Sequence, residues 1–286
     1  MEINENKISY LESIEIVEKK DENKIFYKDS CYKNNFIKYN NQIYYLKKCN
    51  PHRNMSHILN EIIGEYISKY FNLNTVHNIL IRDNDKKYGV MTRNFVDNKD
   101  DYYYFDNSLF VNLENTPLVG LDNLNNLDYV FNKDYNKIQL DDNSLDIFIK
   151  NIKKLIVRDF ITRQTDRHSE NIIVRCIENK VYLMPIFDYE HSFCNDDYFA
   201  FYHIFDFNLL LDKVCYIIRH DYYFQELLMR AMKLDIKYII DRIEKDYFIK
   251  LNDNEKESYR EVIERQKNKI KKYRLIRWLY VEYWKC

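Results

Sequence analysis

Residues 165 to 171 read Thr165-Asp166-Arg167-His168-Ser169-Glu170-Asn171. An aspartate, four intervening residues and an asparagine can set a general base beside an amide oxygen that holds a divalent cation, the pairing used in phosphoryl transfer to a hydroxyl. The spacing makes Asp166 the candidate base and Asn171 a candidate metal ligand. Ile172-Ile173-Val174 and Val181-Tyr182-Leu183-Met184, parted by Glu178-Asn179-Lys180, read as a β-hairpin. Pro185 has no donor for a ladder and suits a strand end, and Asp188 follows shortly after. The hairpin therefore folds Asp188 back towards Asn171. Two hard oxygen ligands on neighbouring loops form the sparse site that magnesium accepts, with phosphate oxygens and water completing its octahedron.

Chemistry on a triphosphate also needs a cation on a strand and a helical carboxylate to fix it. Lys47 ends the apolar run Ile43-Tyr44-Tyr45-Leu46 and is the candidate cation, with Lys48 on the opposite face because strand side chains alternate. Glu61 on the following helix is its expected partner, with Glu65 one turn later as competitor. The phosphate-covering turn falls at Lys28-Asp29-Ser30-Cys31-Tyr32-Lys33, which holds no glycine. There Asp29 and Ser30 can make the turn by bonding to the backbone, and Lys33 adds a second positive charge.

The elements that must carry these residues follow from periodicity. Ile25-Phe26-Tyr27, Phe36-Ile37-Lys38-Tyr39 and Ile43 to Lys47 are strand-like, and Asn40-Asn41 is a hairpin turn because Asn tolerates positive φ. Helical spacing runs from Ser56, a candidate N-cap, to Phe71. Ile79-Leu80-Ile81 and Tyr88-Gly89-Val90-Met91 add two strands. Residues 97 to 106 read as an acidic, tyrosine-rich connector. Leu145, Phe148, Ile149, Ile152, Leu155, Ile156 and Phe160 form a helical stripe, capped by Asn143 or Ser144, that leads into Asp166. Further helical stretches span 207 to 219, 222 to 250 and 255 to 285. The last carries Arg260, Arg265, Lys267, Lys269, Lys271, Lys272, Arg274 and Arg277 beside Trp278, Tyr280 and Trp284, and reads as a solvated basic face over an aromatic core stripe, with contact to anionic lipid or nucleic acid as the alternative.

Composition narrows the classes. A chain of 286 residues can bury a sizeable core, and 44 Lys plus Arg against 45 Asp plus Glu neither demands nor excludes a nucleic-acid partner. The three glycines and three prolines, beside abundant Asn, Lys, Ile and Tyr, read as a mutational bias that erodes glycine motifs. Six scattered cysteines without a close pair fit free thiols in a reducing compartment. The polar, acidic start shows no Sec-type signal, and no apolar run is long enough to span a bilayer. The expectation is a soluble, cytoplasmic protein, with export by a specialised system left open.

In order along residues 29 to 193, the chain resembles the HipA-like serine/threonine kinases, in particular compact bacterial toxin and translocated members. Leu46-Lys47 resembles that family's strand lysine, and Asn60-Glu61 with Leu73-Asn74 its helix and exit. Met91-Thr92-Arg93-Asn94-Phe95 stands at its hinge position. Thr165 to Asn171 resembles its catalytic loop, and Leu183-Met184-Pro185-Ile186-Phe187-Asp188 its metal strand. The resemblance implies an α+β, bilobal kinase-like fold, with a β-rich nucleotide-binding lobe at 1–95 and a mostly helical catalytic lobe at 96–286. It implies ATP and Mg2+, transfer to a protein Ser or Thr hydroxyl, and autophosphorylation. Carried over, Asp166 is the base, Asn171 and Asp188 hold metal, Lys47 binds phosphates, and Glu61 orients Lys47. Residues 92 to 94 then offer backbone to adenine. A small antitoxin is the partner such toxins imply; no direct nucleic-acid binding or membrane association is expected. Asp166-Arg167-His168 with Asn171 also resembles the loop of phosphatidylinositol kinases, so a lipid kinase is the alternative within catalysis. A pseudokinase acting as a binding module is the alternative outside it. Arg167 and His168 are expected to be structural.

Overall fold

A computed structural model describes residues 2–3, 9–10, 15–16, 36–48, 55–82, 88–97, 101–104, 141–167, 171–178, 180–193 and 221–272. Among these, eleven strands and five helices make a mixed α+β architecture. The largest sheet has six strands: β2 (Ser9–Tyr10), β3 (Glu15–Ile16), β4 (Phe36–Tyr39), β5 (Gln42–Lys48), β6 (Asn78–Arg82) and β7 (Tyr88–Arg93). Its order is β2-β6-β7-β5-β4-β3, antiparallel except where β2 runs parallel to β6. Asn40 and Asn41 both take positive φ, 49° and 60°, the two-residue turn whose twist suits a hairpin. That turn sets the β4–β5 register, Phe36 opposite Tyr45, and so fixes which face Lys47 occupies.

Helix α1 (Ser56–Tyr70) follows. Ser56 is its first helical residue rather than its cap: Met55 holds the cap position and no side chain bonds there. At the other end Asn72 takes φ 54°, and the amides of Leu73 and Asn72 return to the carbonyls of Ser68 and Lys69. This is a Schellman closure with Asn in the place glycine usually fills.

The second sheet joins β8 (Tyr102–Tyr104), β9 (Ile173–Ile177) and β10 (Lys180–Leu183) in the order β10-β9-β8. The segment expected as a connector thus supplies a strand, because Tyr102 finds Arg175 and Tyr104 finds Ile173 across a long sequence separation. Helix α2 (Asp142–Thr162) is capped by Asp141, whose carboxylate accepts from the Ser144 amide, and not by Asn143 or Ser144. Its stripe of Phe148, Ile152, Leu155, Ile156 and Phe160 is buried as the spacing requires.

The stretch 222–250 is two helices and a strand instead of one helical run. Asp221 caps α3 (Tyr222–Met232), and Asp235 caps α4 (Ile236–Tyr247). β11 (Ile249–Lys250) then pairs with β1 (Glu2–Ile3). Asn252 and Glu255 open α5 (Asp253–Lys272) with reciprocal side-chain bonds to each other's amides, at 2.9 and 2.8 Å. Tyr259, Val262, Ile263 and Ile270 form its buried stripe, and Arg265, Lys271 and Lys272 stay exposed. The expected strand at 25–27 and helix at 207–219 lie outside the described residues, as does the chain beyond 272. One apolar cluster joins α1 to α2, to α3–α5 and to β9–β10. No helix among the described residues is long and apolar enough to cross a membrane.

Candidate active site

Lys47 projects from β5 onto three carboxylates. Its Nζ lies 2.7 Å from Glu61 Oε1, 2.7 Å from Asp188 Oδ1 and 3.0 Å from Glu190 Oε2. An ammonium carries three donors, and all three are used. Burial works against its charge, but Asp188, Glu61 and Glu190 outweigh burial and hold its pKa well above the usual lysine value. Burial pushes the Glu61 carboxyl upward against the pull of Lys47, and the negative charge of Asp188 adds to the rise. Between the two helical candidates the geometry selects Glu61. Glu65 turns elsewhere, accepting from Lys69, from His77 Nδ1 at 2.9 Å and from the Asn78 amide at 2.7 Å.

Helix α1 also fixes the segment that carries Asp188. Glu61 Oε1 accepts from the Tyr189 amide at 3.1 Å, and Asn60 Nδ2 donates to the carbonyls of Glu190 and Ser192 at 2.8 Å each. The helix exit helps: Thr75 bridges Ile186, and the amides of Val76 and Ile186 bond Ile186 and Asn74 respectively. Gly64 makes the close approach feasible. A Cβ there would stand 2.4 Å from Tyr189 Cγ and 2.8 Å from Arg158 Nη2. Asp188 itself has φ 59°, a left-handed conformation that costs a non-glycine residue energy and needs support. Support comes from both sides, with Gln164 Nε2 donating to the Asp188 carbonyl at 2.8 Å and the Tyr189 amide held by Glu61.

The loop after α2 begins where Arg163 takes φ 50° at the helix C-cap. Asn171 Nδ2 donates to the Asp166 carbonyl at 2.8 Å, closing the loop on itself. Arg167 is fully buried. Its Nε meets Asp159 Oδ2 at 3.0 Å, and its Nη1 donates to the carbonyls of Asn171 and Phe187 at 3.2 and 2.7 Å. One guanidinium thus ties the residue bearing one candidate ligand to the residue preceding the other. Arg158 shares Asp159 at 2.7 Å and lies 4.2 Å over the Tyr189 ring, so a buried stack backs the loop. The expected structural role of Arg167 matches this geometry; His168 lies outside the described residues.

Two residues of the site were not anticipated, Glu190 and His191. Glu190 shares Lys47 and sits 3.0 Å from His191 Nε2, and those two partners hold its carboxyl well below the usual carboxylate range. His191 Nε2 also lies 3.8 Å from Asp166 Oδ2. The signal was chemical: a second carboxylate and a histidine directly behind Asp188. Their value depended on a turn that no periodicity announces.

The hinge residues Met91, Thr92 and Arg93 lie inside β7, where Thr92 is paired with Tyr45 on one side and Asn78 on the other. The Asn94 amide donates to Ile43 at 2.9 Å. The sheet therefore already uses backbone assigned to adenine. Ser30 and Lys33 lie outside the described residues.

No family model matches the sequence, and no curated protein matches it. Solved structures do. The crystal structure of the Helicobacter pylori proinflammatory kinase CtkA is similar with TM-score 0.52 and 16% identity, over 82% of this chain and 89% of that one. HipA of a Shewanella oneidensis MR-1 toxin–antitoxin system, solved with HipB and operator DNA, gives TM-score 0.54 and 12% identity over 85% of this chain. The match covers 63% of that HipA chain's length. The fold is that of the HipA and CtkA kinases.

Proposed function

We propose that this chain is an ATP- and magnesium-dependent kinase that phosphorylates a protein Ser or Thr hydroxyl, including one of its own. The observation that carries the reading is the meeting of Lys47, Glu61 and Asp188 at 2.7 Å, beside a loop in which Asn171 closes on Asp166. The donor set suits magnesium. Carboxylate oxygens of Glu61, Asp188 and Glu190 lie within 4.8 Å of one another, with Lys47 between them, so the cluster keeps negative charge for a hard divalent cation. Asp188 and Asn171 would hold that ion, and it would neutralise charge on the phosphate oxygens. Lys47 binds the α- and β-phosphates and Glu61 orients it. Asp166 orients the acceptor hydroxyl and receives its proton as the acceptor oxygen bonds the γ-phosphorus and the bridge to the β-phosphate breaks. Little covalent chemistry falls to the protein, so positioning and charge carry the rate.

The reading divides the molecule into a nucleotide-binding lobe at 1–95 and a catalytic lobe at 96–286, with the cleft between them. Because Thr92 is paired on both sides and the Asn94 amide is spent on Ile43, the adenine edge is read beyond that amide. The likeness to HipA, solved with HipB, supports a small antitoxin-like partner, and the scattered cysteines support action in a bacterial cytoplasm.

Incubation with Mg-ATP followed by intact-mass measurement tests the activity. Wild type gains phosphate and Asp166→Asn does not. A chain that binds nucleotide but transfers to no protein or peptide is a pseudokinase, the outcome favoured by the glycine-free stretch at 28–33. Transfer to inositol-lipid vesicles with none to protein makes it a lipid kinase.

A further inference from the structure

Lys47 donates one hydrogen to each of three carboxylates, Glu61 and Asp188 at 2.7 Å and Glu190 at 3.0 Å. An ammonium has no fourth donor. The kinase reading above, on which this inference rests, asks two more things of the same cluster: a Lys47 donor for the phosphates, and Asp188 for the ion. Both are met when Lys47 gives up Asp188, because Asp188 alone of the three has another task. Two donors then stay on Glu61 and Glu190, and the third turns to a phosphate oxygen.

Glu190 is built to stay in place through that exchange. It engages both oxygens, Oε2 with Lys47 and Oε1 with His191 Nε2 at 3.0 Å, so its carboxylate is oriented from two sides. Its backbone is anchored as well. Asn60 Nδ2 donates to the carbonyls of Glu190 and Ser192 at 2.8 Å each, and Asn60 Oδ1 accepts from Tyr259 Oη on α5 at 3.2 Å. Asn60 and Glu61 are neighbours on α1. One turn of helix thus supplies one anchor of Lys47 directly and fixes the backbone of the other. The Lys47 and Glu190 side chains are only 17% and 22% exposed, which sets the pair apart from a solvent-screened surface contact.

We propose that Glu190 is a second positioning residue for Lys47, holding the ammonium jointly with Glu61 once Asp188 is given over to the ion. A single anchor lets a flexible four-carbon side chain swing about that contact. Two anchors on different elements, α1 and the segment behind Asp188, fix where the remaining donor points, and orientation of that kind is what phosphoryl transfer depends on. Charge alone predicts the opposite consequence. Taking a carboxylate away from a bound triphosphate relieves repulsion and favours nucleotide and transition state alike, whereas loss of positioning harms both, so the two accounts differ in sign.

The test is steady-state phosphotransfer by the full chain, with Mg-ATP and whichever peptide or self-site the intact-mass experiment identifies. Glu190→Ala is expected to lower kcat/KM for ATP roughly 10-fold, and to lower it no further in a Lys47→Met background, because the effect passes through that lysine. Glu190→Gln, which keeps an acceptor oxygen at the same reach, is expected to recover most of the loss. A second readout needs no nucleotide: acylation of Lys47 by an amine-reactive reagent, followed by peptide mass spectrometry. Glu190→Ala is expected to speed that labelling roughly 3- to 10-fold, since one fewer carboxylate holds the ammonium charged, while Glu65→Gln leaves it unchanged. If Glu190→Ala does not fold, Glu190→Met, which keeps the length of the side chain and loses the acceptor, takes its place. A kcat/KM within twofold of wild type, or above it, while Asp166→Asn is inactive, overturns this inference and leaves the kinase reading standing. So does an equal loss with and without Lys47, which places the action of Glu190 elsewhere in the site. A loss that Gln does not restore, with Lys47 labelling unchanged, overturns it as well. A wild-type chain that transfers no phosphate overturns the kinase reading itself, and this one with it.

Discussion

At Lys47, three carboxylates converge on one ammonium, so removing the cation leaves them facing one another in a half-buried site. Lys47→Met is expected to cost about 3 kcal/mol of stability, the range for breaking a buried pair from one side, and to lower phosphotransfer by at least about 100-fold. Urea denaturation and the intact-mass assay read the two effects separately. Glu65 offers a different test, because it lies outside the catalytic cluster. Burial pushes its carboxyl up, but bonds from His77, Lys69 and the Asn78 amide outweigh that and leave it below the ordinary value. The unfolded chain therefore binds a proton more readily than the folded one. The resulting stability is fully present above the unfolded value of about 4.3 and disappears as pH falls through the folded value. Glu65→Gln is expected to cost about 1–3 kcal/mol at pH 7, with the gap to wild type closing at pH 4 and below. A gap that stays constant from pH 7 to pH 3 sinks the argument.

At the level of elements, α1 approaches the Asp188 segment more closely than any side chain at position 64 permits. Gly64→Ala is expected to cost about 1–3 kcal/mol, as overpacking does, and to lower activity as well, since the displaced ring belongs to Tyr189 beside Asp188. Thermal melting with the phosphotransfer assay checks both; a neutral Ala variant contradicts the packing. The elements themselves were largely legible. The Asn40-Asn41 turn, the stripe from Phe148 to Phe160 and the hairpin around Glu178 all announce themselves through local periodicity or local φ preference. Errors fell where the deciding contact is not local. Met55 rather than Ser56, and Asp141 rather than Asn143, occupy caps because helix ends drift by a residue or two until the side-chain bond is seen. Local pattern does not announce β8, whose partner Ile173 lies some 70 residues further along the chain, and it runs 222–250 together because Asp235 caps a second helix only after a tight turn. The same reason hid Asp159 and Arg158: a buried charged stack has no sequence period. Asp159→Asn is expected to cost about 3–5 kcal/mol, because it strands two buried guanidinium groups.

At the scale of the whole molecule, ligand binding should appear as stability. Mg-ATP at about 100 times its Kd is expected to add about 2.7 kcal/mol, a rise in Tm of several degrees for a chain of this size. Asp188→Asn should keep only the part of that rise seen with ATP and EDTA; an undiminished rise removes Asp188 from the metal site. The packing also restricts how such an enzyme is governed. Helix α1 buries Ile58, Ile62, Ile63 and Ile67 completely in the cluster shared with α2 to α5. Its tyrosines are moored there too, Tyr66 to Asp246 at 2.6 Å and Tyr70 to the Arg230 carbonyl at 2.9 Å. A control mechanism that swings the glutamate-bearing helix outward would have to tear open the main hydrophobic interior. In this protein that helix behaves as bedrock, both for Lys47 and for the segment that carries Asp188.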